Sequence, residues 1–140
     1  MTLELDSLRK SVSALHAVLG RSDDSEFMQG LDDVAQNAIK SGVIQHFEFT
    51  YELSWKFMKR WLEMNISPTC VDGVTRRELF RRAAENLLID DVEQWMRYHD
   101  ARNQTSHTYD PQFAQFVYVA AHGFAQDATK LLDALEARND

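Results

Sequence analysis

Little in this chain bends or cross-links it. Only two of its 140 residues are proline and five are glycine, which disfavours a turn-rich sandwich and favours helices with short connections. The single cysteine, Cys70, excludes an intrachain disulfide and a cysteine-only metal cluster, and a reducing cytoplasm is the expected compartment. Basic charge is also scarce. A formal net charge of −7 leaves no global field to hold nucleic acid, so any RNA or nucleotide contact must use a local basic patch. No apolar run approaches the length of a membrane span. The opening MTLELDSLRKSVSALHAVLG mixes charged residues into its apolar ones and lacks the unbroken apolar stretch of a signal peptide. No repeat, low-complexity tract or domain boundary is visible, so residues 1–140 are expected to form one helical domain.

What is present is helical periodicity. Leu5, Leu8, Val12, Leu15 and Leu19 form one stripe over about 3–19, with Gly20 as its expected C-terminal cap. A long second helix is expected over about 26–64. In it Ile44, Phe47, Tyr51, Met58 and Trp61 or Leu62 lie along one face, while Phe49, Leu53 and Phe57 carry apolar surface onto another. A helix apolar on two faces belongs in the centre of a bundle or in a dimer interface. Thr75 and Glu78 have capping-box spacing and start a third helix; Asp90 and Glu93 suggest the start of a fourth. Asp110-Pro111 reads as an N-cap followed by proline at the first helical position. The last helix then runs over about 111–137 with Phe113, Val117, Ala120, Phe124, Leu131 and Leu135 inward. No period-two pattern with hairpin turns appears. The fold class expected is all-α, an antiparallel four- to five-helix up-and-down bundle, homodimeric through the apolar excess of the second helix.

The chemistry-bearing side chains gather in RNQTSHTYD, residues 102–110. On a continuing helix His99, Asn103 and His107 share a face, with Arg102 and Ser106 on the adjoining row. Pro111 ends the helix near Asp110, which puts His107 in its last turn, where the macrodipole favours imidazolium. A histidine near its pKa suits proton transfer, and an arginine grips phosphate with two parallel bonds. These parts suit phosphodiester cleavage without metal: an RNA 2′-hydroxyl attacks, His107 moves its proton, and Arg102 steadies the developing charge. Asn103 would orient the histidine or the phosphate, and Tyr109 would stack on a base or offer its hydroxyl to a modifying enzyme. The residues alone leave a second reading open, in which Arg102 and His107 merely satisfy carbonyls at a helix end. A metal at His99/Asn103/His107 is disfavoured because asparagine is a poor transition-metal ligand, and no metal or other cofactor is expected. Arg76, Arg77, Arg81 and Arg82 read as a solvated basic face, and Glu48, Glu52 and His46 as a charged flank with pairs such as Glu52–Lys56.

RNQTSHTYD matches R-x4-H-x-Y and so resembles the HEPN superfamily of small helical nucleotide-binding domains. VIQHFEFTYELSWKFMKRWLE is similar to a signature of the substrate-binding subunits of two-component minimal nucleotidyltransferases. The resemblance implies a bundle that dimerises through its long helices and associates with a small nucleotidyltransferase encoded beside it. The substrate-binding subunit would not transfer nucleotides itself, and no Gly-Ser and paired-aspartate pattern for doing so is seen. HepT-type toxins, related to this group, are metal-independent endoribonucleases. Carried over by position, their motif implies Arg102 and His107 as the catalytic pair, Asn103 in support, and Tyr109 as the tyrosine to which an antitoxin nucleotidyltransferase adds AMP.

Overall fold

Capping side chains decide where most of the helices begin. The computed structural model describes residues 2–139. Its helices are α1 (Asp6–Asp23), α2 (Ser25–Gln29), α3 (Asp33–Asn65), α4 (Arg76–Glu85), α5 (Val92–Asn103) and α6 (Pro111–Ala137), with a 3-10 turn at Thr105–His107 and no strand among the described residues. Asp24, Asp32, Thr75, Asp91 and Asp110 each accept a backbone N–H of the first turn that follows, satisfying donors the helix itself cannot use. The Asp110-Pro111 start is as expected. The fourth helix is capped by Asp91, one residue later than expected.

Two helix boundaries in the first half of the chain also differ from expectation. The long second helix is interrupted: α2 ends at Gln29 with Gly30 as its C-cap, and the Asp32 side chain, 2.8 Å from the Ala35 amide, caps a new start. Capping aspartates outcompete continuation there. Gly20 is no cap, since α1 runs through it to Asp23. A Cβ built at Gly20 meets nothing within 4 Å. Gly20→Ala is therefore expected to raise unfolding free energy by about 0.5–1 kcal/mol, measured by urea titration; a loss would contradict the open space seen at this position.

Paired contacts give the helix directions. Arg9 meets Glu136 and His16 meets Thr129, so α1 and α6 run oppositely. Ser11 meets Thr50 and Val18 lies by Gly42, so α1 also opposes α3. Tyr98 reaches Asp127, and Gln104 shares a hollow with Gln112, so α5 opposes α6. The four long helices thus alternate up and down in chain order, the expected bundle, and α3 and α6 pack side by side in the same sense. The α1 stripe Leu8, Val12, Leu15 and Leu19 is buried, as are Phe47, Tyr51, Phe57, Met58, Trp61 and Leu62 of α3. Phe124 is the aromatic hub, with the Phe47 and Tyr98 rings 5.1 Å away and Trp95 at 5.6 Å. Phe113, expected inward, is on the surface with Phe116 and Val119, because the first turns of α6 extend past the main core. Among the described residues no helix is long and apolar enough to cross a membrane.

Candidate phosphate site at the end of α5

The centre of α3 turns Glu48, Tyr51, Glu52 and Trp55 to one side, since residues three and four apart share a helix face. The C-terminal half of α5 lies opposite with His99, Arg102 and Asn103, and α4 contributes Arg76 at its first position. Two hydrogen-bonded chains result.

The first holds Arg102. Its Nε donates to Glu52 Oε1 at 3.0 Å and its Nη1 to Thr105 Oγ1 at 3.1 Å. Nη2 stands 3.7 Å from Glu48, a charge pair beyond hydrogen-bond range. Trp55 Nε1 donates to the other oxygen of Glu52 at 3.1 Å. The guanidinium is thereby fixed in direction on a half-buried side chain, and among the described residues its Nη2 donates no hydrogen bond. The second chain runs from Arg76. Its guanidinium lies 3.9 Å from the Trp55 ring centre and donates to the Tyr51 hydroxyl at 3.0 Å. Tyr51 in turn pairs with His99 Nδ1 at 2.8 Å.

Burial pushes the Tyr51 hydroxyl up to about 12, against the opposing pull of Arg76. Burial, and then Arg76, hold His99 below its ordinary value. A phenol with a raised folded pKa contributes stability that is complete below its unfolded value near 10 and is lost as pH rises through its folded value. Burial and the Asp127 contact also push Tyr98 upward. Unfolding free energy is thus expected to fall between pH about 10 and about 12, and less steeply in Tyr51→Phe, with the remaining slope due to Tyr98. Identical slopes would refute the assignment. His99 acts at the other end: its contribution is present above its unfolded value and is lost as pH falls through its lower folded one.

His107 is placed differently from the sequence expectation. The α-helix stops at Asn103, so His107 does not occupy its last turn and does not share a face with His99 and Asn103. Thr105 Oγ1 donates back to the Arg102 carbonyl at 2.8 Å, and the backbone tightens to a 3-10 turn. His107 is exposed, with its ring 5.7 Å from Phe113 and 6.3 Å from Tyr109. Arg102 faces α3 and His107 faces α6, and among the described residues no hydrogen bond joins them. Tyr109 is 84% exposed. It borders a cleft of about 370 Å³ between α3 and α6, which Lys40, Ile44, Gln115 and Tyr118 also line.

The partners within this site differ from those that spacing predicts. Glu52 was expected beside Lys56 in solvent but pairs with Arg102. Arg76 does not join the solvated basic face expected of its cluster but turns onto Trp55 and Tyr51. Arg77, Arg81 and Arg82 do pair with surface carboxylates, Glu93 and Glu78. Spacing carried one usable signal, an acidic pair four residues apart on a face that also held Tyr51 and Trp55.

Comparison with known proteins agrees with this architecture. The family described as nucleotidyltransferase substrate binding protein like matches residues 3–137. A Haemophilus influenzae protein named Probable ribonuclease HepT is 34% identical over 138 residues, spanning 98% of this chain and 94% of that protein. A solved Haemophilus influenzae structure, described as the fold of a substrate binding domain of a nucleotidyltransferase, superimposes with a TM-score of 0.91 at 33% identity and covers 95% of this chain and 99% of its own. A Thermus thermophilus structure shares the fold alone, with a TM-score of 0.68 at 22% identity over 89% of this chain and 98% of its own. The chain belongs to the nucleotidyltransferase substrate binding protein like family.

Proposed function

We propose that this chain is the substrate-binding subunit of a two-component minimal nucleotidyltransferase: a single helical domain, non-catalytic for nucleotidyl transfer, that acts in the cytoplasm beside a small nucleotidyltransferase encoded nearby. The observation that carries this reading is the near-complete superposition on a structure described as a nucleotidyltransferase substrate-binding domain. The open cleft bordered by Tyr109 supports it, because it leaves a mononucleotide-sized space next to an exposed hydroxyl. A homodimer belongs to the same proposal. Phe49 is 52% exposed on α3, and with Leu53 and Ala14 it lines an apolar hollow of the kind that usually marks an interface. Co-expression with the neighbouring nucleotidyltransferase, followed by sedimentation, tests both parts. A stable complex built on two copies of this chain is expected; a monomer that never co-purifies with the nucleotidyltransferase would sink the reading.

A second reading is favoured by the relative named Probable ribonuclease HepT. In it the chain is a metal-independent endoribonuclease toxin of a toxin–antitoxin pair that uses Arg102 and His107, with Asn103 in support, and is silenced by AMP addition at Tyr109. The two side chains that would share the work face different helices here, so this reading needs the ligand, or a second copy, to bring them to one phosphate. RNA cleavage in EDTA by the wild-type protein, abolished in His107→Ala, is its expected result. Normal growth on induction without the partner, with no such cleavage, would remove it.

A further inference from the structure

Arg76, Tyr51 and His99 form a chain whose proton positions follow from valence. Arginine has no acceptor, so at the 3.0 Å contact the Tyr51 oxygen accepts from Arg76. The Tyr51 hydroxyl hydrogen then needs an acceptor, and at 2.8 Å it has His99 Nδ1. Nδ1 is therefore bare, and a neutral imidazole in that state carries its hydrogen on Nε2. Burial and Arg76 disfavour a second proton; Asp100 and Glu52 oppose them, and Arg102 adds to them. Nε2 lies 3.5 Å from Nδ2 of the Asn103 carboxamide; with the hydrogen on Nε2, that carboxamide turns over to present its oxygen instead. That edge is on the motif side of a half-buried ring, three residues before Arg102 and hence on a neighbouring row of the same helix.

We propose that His99 is a further phosphate-contacting residue of this site, a histidine outside the R-x4-H-x-Y spacing whose Nε2–H, aimed by Tyr51 and Arg76, donates to the same phosphate as Arg102. It rests on the reading of Arg102 as the phosphate-binding cation. The phosphate belongs to a nucleotide, either free or within RNA. Arg102 supplies charge, while His99 supplies a direction-fixed donor and adds no net charge. With its carboxamide turned over, Asn103 caps that donor until phosphate displaces it.

Imidazole nitrogen NMR on the full chain reads the tautomer directly. At pH 7 the His99 signals are expected to report Nε2–H, and Tyr51→Phe is expected to mix the tautomers. The probes are AMP and a 2′-O-methylated RNA hexamer, which has no free 2′-hydroxyl to attack. One or both should shift His99 Nε2; a shift with AMP assigns the mononucleotide source, and a shift with the hexamer alone assigns RNA. His99→Ala is expected to weaken the bound probe roughly tenfold, the size of one good hydrogen bond to a charged group. His99→Gln keeps an N–H near the same place and should restore most of that loss. An Nδ1–H tautomer, or unchanged affinity in His99→Ala where Arg102→Ala loses it, overturns the inference alone. Unchanged affinity in Arg102→Ala, or no saturable binding of either probe, overturns it together with the reading beneath it.

Discussion

Phe124→Ala is expected to lower the unfolding free energy by about 3–5 kcal/mol, the usual cost of emptying a fully buried aromatic site. Phe124 is fully enclosed on α6. Phe47 meets it edge-on from α3, and Trp95 and Tyr98 do so from α5. No small local collapse can fill the void, because the rings around it belong to separate helices and are themselves held. Tyr98 is tied to Asp127 and Tyr51 to Arg76 and His99. Urea titration should show the loss as a shift in midpoint with little change in slope. Phe124→Leu, which leaves a smaller void, should lose less than half as much. A loss below about 1 kcal/mol for the alanine variant would mean that the bundle repacks freely, against the density expected of such a core. The same variant should broaden the His99 resonances, because Tyr51 also rests on this ring at 6.2 Å.

Arg102→Ala should have the largest effect on chemistry. If the chain cleaves RNA, the variant is expected to be slower by about a hundredfold or more, the usual consequence of removing a preorganised group that stabilises transition-state charge. Arg102→Lys should recover little of that rate. Lysine keeps the charge but cannot donate from Nε to Glu52 and keep an open Nη2 edge in one plane. A fluorogenic RNA substrate in EDTA gives the rate, and urea titration of the same samples shows whether the fold is kept. The stability change should be modest, because the guanidinium and both of its carboxylate partners remain partly exposed. A lysine variant as active as wild type would rule out bidentate phosphate recognition at this position.

The bundle was legible because helix starts and apolar stripes are local signals. Leu8, Val12, Leu15 and Leu19 declare a buried face whatever packs on it, and Asp110-Pro111 declares a start. The break before Asp32 was missed because continuous periodicity on either side hid a competing cap. The site was legible in its motif and not in its surroundings. Arg102 announced itself by spacing, but Glu52 is fifty residues away in sequence, and no local rule pairs the two. His107 illustrates the opposite error. Helical spacing placed it on a face that the chain never forms, because Thr105 bonds back to Arg102 and ends the regular turn early.

The company Arg102 keeps also governs its response to ionic strength. A bare arginine on a basic surface gathers anions that leave when phosphate arrives, and binding then weakens steeply as salt is added. Here Glu52 and Glu48 already stand where those counterions would be, on a chain of net charge −7. On the reading of Arg102 as a phosphate-binding cation, few anions leave the protein on binding, so its affinity for a mononucleotide should vary little with salt. Added salt instead screens the repulsion between the acidic protein and an incoming phosphate, and the approach of the ligand should quicken where that of an ordinary nucleic-acid binder would slow.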